Sequence, residues 1–75
     1  MKACILVKTK PGKHNAVAKA ASKLEGVKSA FPILGRTDVV ASVEVADIKR
    51  LGSLAFEIGE IAGVLATETL IALEV

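Results

Sequence analysis

Gly26-Val27-Lys28-Ser29-Ala30-Phe31-Pro32-Ile33-Leu34-Gly35-Arg36-Thr37-Asp38-Val39-Val40-Ala41-Ser42-Val43-Glu44-Val45 is the stretch from which the fold is read. It opens on a glycine suited to the left-handed residue that closes a helix. Val27, Ser29, Phe31 and Ile33 then alternate with Lys28 and its successors, the period-2 pattern of a strand with one inward row. Pro32 lacks an N–H, so this strand belongs at a sheet edge or is bulged. Gly35-Arg36-Thr37-Asp38 has turn chemistry, and Val39, Ala41, Val43 and Val45 form the inward row of a second strand. The stretch therefore predicts a hairpin.

Upstream, residues 3–8 (Ala-Cys-Ile-Leu-Val-Lys) read as a strand stopped by Pro11-Gly12. From Lys13 the apolar positions change to helical spacing, with Val17, Ala20, Ala21 and Leu24 on one stripe. Downstream, Asp47 is an N-cap for a second helix with the stripe Leu51, Leu54, Ala55, Ile58, Ile61 and Ala62, ended by Gly63. A last strand runs from Val64 to about Leu73. Gly26-Val27 and Gly63-Val64 are 63 − 26 = 37 residues apart in a chain of 75, so the two halves read as copies of one unit. Two such units predict an α+β, ferredoxin-like βαββαβ fold: a four-stranded antiparallel sheet, both helices on one face, the first and third strands central.

Seventy-five residues suit a single domain over 1–75, one that buries only about 60% of its unfolded surface. At 52% hydrophobic and 24% charged the chain is too apolar for a disordered segment. Its formal charge of +2 is scattered, which argues against direct binding to nucleic acid. The apolar run at the N-terminus is far short of the roughly 20 residues that span a bilayer, and the single Cys4 cannot form an internal disulfide. A cytoplasmic protein without a membrane partner is the expectation.

Opposite the inward rows lie Cys4, Leu6, Ala30, Pro32, Leu34, Val40 and Ser42, too apolar for the solvated side of a half-covered sheet. With both helices on the other face, a face-to-face homodimer of the α+β barrel type is expected, with Cys4, Leu6, Leu34 and Val40 in the interface. Phe56 falls on the flank of the second helix beside Gly52 and Gly59. Two glycines inside a helix, each roughly 1 kcal/mol worse than alanine, suggest close approach by a further partner; the alternative is that Phe56 closes the rim of the core.

Catalytic signals are missing. His14 begins a helix with no orienting partner, and Cys4 has no companion histidine. The chain has no GxGxxG, GxxxxGK[ST], GxSxG or HExxH, and one cysteine cannot make a metal-carrying CxxC. The central strands lack the aromatics on which an RNA-binding sheet stacks bases. No enzyme, cofactor or metal is expected.

Two polar segments remain, Gly35-Arg36-Thr37-Asp38 and Thr67-Glu68-Thr69. A free amino acid needs donors such as Arg or hydroxyls for its carboxylate and an acceptor such as Asp for its ammonium, and both kinds are present. Ordinary turn capping by Asp38 and ordinary strand threonines would look the same.

From residues 3–8 through residues 24–27, residues 35–40 and residues 62–64 to Thr67-Glu68-Thr69, the chain resembles the ligand-binding domain of the Lrp/AsnC family of transcription regulators. The resemblance implies a module that senses small effectors, usually amino acids, at interfaces between dimers that build octamers or similar rings. By position it implies ligand-binding roles for Gly35, Arg36, Thr37, Asp38, Thr67 and Thr69, with Glu68 between the two threonines in one cleft. The family commonly has an aromatic residue where this chain has Thr37. The family's full-length regulators carry an N-terminal helix-turn-helix, whereas this chain starts at its first strand and so resembles the stand-alone form. It would then influence transcription indirectly, by homo-oligomerising or by co-assembling with full-length Lrp/AsnC proteins. A small dimeric α+β barrel enzyme using Glu44, Glu68, Asp38 or His14, or an ACT-type regulatory domain, is the alternative.

Overall fold

Alternation decides the first strand. In the computed structural model, which describes residues 1–73, Ala3, Ile5, Val7 and Thr9 of β1 (Lys2–Thr9) are buried, while Lys2, Cys4 and Lys8 are exposed. The order continues with α1 (His14–Ser22), β2 (Val27–Pro32), β3 (Val39–Glu44), α2 (Ile48–Gly59) and β4 (Val64–Ile71). All pairings are antiparallel, in the order β2-β3-β1-β4, which puts the Pro32 strand at an edge as expected.

Both helices cover one face. Val17 and Ala21 of α1 and Leu51, Leu54 and Ile58 of α2 interleave with Ile5, Val7, Val39, Ala41 and Val43 in a single core. Burying an aliphatic side chain of this size contributes about 1.5–3 kcal/mol. Asp47 caps α2, its Oδ1 accepting the Arg50 N–H at 2.9 Å. Arg50 also donates to Glu57 Oε2 at 2.7 Å and to the Glu25 carbonyl at 2.9 Å, tying α2 to the exit of α1. Gly26 has φ +100°, and a Cβ there would lie 3.1 Å from Val45 Cγ1 and 3.2 Å from Leu54 Cδ2. The backbone angle favours glycine, and any side chain there would also make Val45 and Leu54 give by a few tenths of an ångström.

Three differences from the sequence reading stand out. Val27 pairs with Val43 but Ser29 with Ser42, so Lys28 is an extra, bulged residue. One extra residue reverses the alternation that follows. Ala30, opposite Ala41, packs against the core, and Phe31, opposite Val40, points to the open face with 49% exposure. Ser29 and Phe31 are thus not inward residues, and Ala30 and Pro32 are not on the open face. Secondly, α2 stops at Gly59 rather than Gly63, because residues 60–64 form turns with i→i+3 bonds such as Ile61 N–H to the Ile58 carbonyl at 3.1 Å; Ala62 is exposed. Leu24 likewise lies beyond α1 while still packing against the core. Thirdly, β4 ends at Ile71, short of Leu73.

Candidate functional site

Strand register sorts the singled-out residues onto two faces. On the open face, Cys4 sits opposite Ser42 on one side and Leu70 on the other, and Leu6 sits between Val40 and Glu68. With Phe31 on β2, the side chains of Phe31, Val40, Leu6, Cys4 and Leu70 make a largely apolar surface that nothing among the described residues covers. Leu34 lies in the connection of residues 33–38, fully exposed, and not on the strand itself.

That connection folds back on β1. The Asp38 N–H donates to the Val7 carbonyl at 2.8 Å, the Ile33 N–H to the Asp38 carbonyl at 2.9 Å, and the Thr9 N–H to Asp38 Oδ2 at 2.8 Å. Lys8 Nζ donates to the Arg36 carbonyl at 3.3 Å. The hairpin is thereby held over the end of the open face, where Arg36, Thr37, Glu68 and the Leu6 floor enclose a cavity of about 330 Å³. Gly35 is exposed beside it, with open space where a Cβ would be.

Thr67 and Thr69 lie elsewhere. They stand opposite the buried Val7 and Ile5, hence on the helix side, whereas Glu68 stands opposite Leu6 on the open side. Consecutive strand residues point to opposite faces, so within one copy the hairpin shares its cavity with Glu68 and not with the two threonines. Thr67 instead lines a groove of about 440 Å³ with Gly52, Ala55, Phe56, Gly59 and Glu60. Phe56 is 69% exposed there, so it does not close the core rim. Neither Gly52 nor Gly59 has an atom within 4 Å of its would-be Cβ, which leaves a smooth trough on both sides of the ring.

Sequence reasoning missed Phe31, Leu70 and Glu60. No signal within β2 could have found Phe31, because the bulge at Lys28 is defined only by the register against β3. Among the described residues no group of three or more His, Cys, Asp or Glu is placed to hold a metal ion, and no helix is long and apolar enough to cross a membrane.

Residues 2–75 match the family model of the Lrp/AsnC ligand binding domain. The chain belongs to this family. It is 35% identical to the HTH-type transcriptional regulator FL11 of Pyrococcus abyssi over 99% of its own length and 49% of the regulator's. It thus spans about half the length of the curated relatives it matches. The crystal structure of TTHA0845 from Thermus thermophilus superposes with a TM-score of 0.92 at 28% identity, covering 99% of this chain and 94% of that one. The regulator NMB0573 of Neisseria meningitidis, solved as a complex with L-Met, has the same fold, with a TM-score of 0.79 at 24% identity over 97% of this chain and 49% of its own. The Lrp/AsnC domain is a ligand-binding part of transcription regulators, and its ferredoxin-like architecture is the one seen here.

Proposed function

We propose that the chain, acting as one domain over residues 1–75, is a stand-alone effector-binding and oligomerisation module of the Lrp/AsnC type. It binds a small molecule of the amino-acid class and influences transcription regulators indirectly, by self-assembly or by co-assembly with full-length Lrp/AsnC proteins in the cytoplasm. The observation that carries this reading is the uncovered apolar sheet face ending in a cavity that holds both a cation, Arg36, and an anion, Glu68. Cys4, Leu6, Val40 and Phe31 supply the face of a homodimer, and burial there offsets the small core of a 75-residue chain. The trough around Phe56 supplies a second contact surface through which dimers associate, and the exposed Leu34 in the hairpin connection adds an apolar contact. The L-Met complex of NMB0573 supports the amino-acid class. Glu44, Glu68 and His14 are exposed and the half-buried Asp38 accepts from the Thr9 N–H, so among the described residues none of the enzymatic alternative's candidates is a fully buried acid or base.

Molar mass by light scattering after size exclusion, with and without each of the twenty amino acids at millimolar concentration, tests the proposal. A ligand bound between copies stabilises the assembled form by its differential affinity for that form. The expected result is a mass of two or more copies that shifts with a subset of amino acids. A monomer, or an assembly indifferent to all twenty, removes the reading.

A further inference from the structure

We propose that the outer flank of α2 takes a second copy of itself: two α2 helices lie antiparallel, and the Phe56 ring of each fills the trough beside Gly52 and Gly59 of the other. The proposal rests on the assembly reading above and names the occupant and the geometry of its second contact surface.

The side of α2 turned away from the core permits close approach. Ile48, Gly52, Phe56 and Gly59 fall at i, i+4, i+8 and i+11, one stripe of the helix, and all four are exposed, whereas Leu51, Leu54 and Ile58 are buried on the other side. The protomer itself needs neither glycine. Among the described residues the glycines with positive φ are Gly12, Gly26 and Gly63, so the backbone at 52 and 59 suits any residue. A Cβ at either position would meet no atom within 4 Å, and alanine is the better helix former. Glycine here leaves a bare backbone that another surface can approach more closely than a side chain would allow.

The trough extends past the helix. Thr67 lines it, and Thr67, Thr69 and Ile71 stand on the helix side of β4, opposite the buried Val7, Ile5 and Ala3, yet remain exposed. Phe56 thus stands at the border of a hollow of about 440 Å³ and leaves most of its own ring in solvent. Knob and hollow lie side by side on one surface. A surface of that kind is complementary to its own copy turned about a two-fold axis, the isologous arrangement that closes a pair.

Charge fixes the direction. Lys49 and Glu60 are 60 − 49 = 11 residues apart, about three turns, so both lie on the same flank of the stripe. Both are exposed, and the ion pair among the described residues is Arg50 with Glu57, which leaves these two charges for a partner. Parallel copies would set Lys49 against Lys49 and Glu60 against Glu60. Antiparallel copies set each Lys49 against the Glu60 of the other. The level midway between Lys49 and Glu60 lies within one residue of the level midway between Gly52 and Gly59, and Phe56 lies within two residues of both. One two-fold axis therefore pairs the charges and seats both rings.

The test is the molar mass of the intact chain over a concentration series, by light scattering and by sedimentation. Phe56→Ala is expected to raise the concentration at which the α2-joined assembly is half formed about a hundredfold. Gly52→Ala is expected to raise the urea midpoint of the dilute protomer and yet to weaken the same assembly, a combination that a glycine serving only the protomer would not give. Lys49→Glu and Glu60→Lys are each expected to weaken assembly about tenfold at low salt, and the double variant to restore it. A double variant as weak as either single one means that the helices are not antiparallel, and the proposal is overturned. If Phe56→Ala keeps the wild-type mass while Leu6→Asp on the open sheet face lowers it, the α2 flank serves another occupant; the proposal is then overturned and the sheet-face reading stands. A wild-type chain that is a monomer at every concentration overturns both.

Discussion

The two halves of the chain solve the same problem with the same parts and then diverge. Leu24 and Ile61, 37 residues apart, each donate an i→i+3 bond after their helix, to Ala21 and Ile58, both at 3.1 Å. Gly26 and Gly63 follow with φ +100° and +97°. Each is succeeded by a valine and then by a bulged residue: Lys28 is extra against β3, and Leu65 is extra against β1, again 37 apart. The divergence lies in what the edge strands show. Val27 and Ala30 of β2 pack against the core, whereas every residue of β4 after Val64 is exposed on both faces. The repeat builds a scaffold twice, and the second copy leaves its edge strand and the outer flank of α2 exposed.

Stability measurements in urea, made at one protomer concentration because assembly adds to apparent stability, separate the shared parts from the divergent ones. The largest effect is expected within α2 itself. Leu54→Ala removes a fully buried side chain and costs about 2–5 kcal/mol, whereas Phe56→Ala, two residues on, leaves unfolding of the protomer nearly unchanged and acts on molar mass. Equal losses from the two changes would erase the distinction between the core and outer sides of this helix.

The paired glycines come next. Gly26→Ala and Gly63→Ala each force a side chain into the left-handed region, at about 1–3 kcal/mol. Gly26 is expected to lose more, because its Cβ would meet two core side chains, while that of Gly63 meets the stem of Lys13 at 3.0 Å. A reversed order would show that the C-terminal exit is the tighter of the two. The smallest effect concerns the helix starts. Asp47 caps α2 with its side chain, and Lys13 at the same place in α1 makes no such bond. Asp47→Ala is expected to cost about 1 kcal/mol, and Lys13→Ser to gain about half of that, both from urea midpoints. A loss in both would mean that Lys13 serves α1 by packing against Gly63.

Most of the fold was legible because its signals are local. The alternation of Ala3, Ile5 and Val7 and of Val39, Ala41 and Val43, the helical stripe through Leu51, Leu54 and Ile58, the Asp47 cap and the Gly-Val exits all lie within a few residues of what they specify. The candidate site was less legible. Its two polar segments stand out in the sequence, yet within one copy they do not form one cleft, because strand alternation sends Glu68 to one face and Thr67 and Thr69 to the other. Phe31 reads as an inward residue because a bulge is a property of two strands and cannot be seen in one.

Residues close in sequence thus determined the order of elements, the edge position of the Pro32 strand and the inward rows of the central strands, since period and capping are set by neighbours along the chain. Only the tertiary structure decided that Lys28 is squeezed out of register against β3, that Glu68 and not Thr67 shares a cavity with Arg36, and that the Asp38 carboxylate is held by an amide 29 residues away. The reason is physical. A buried hydrogen-bond donor takes whichever acceptor folding brings to it, and the identity of that acceptor is a property of the packed chain, not of the residues on either side.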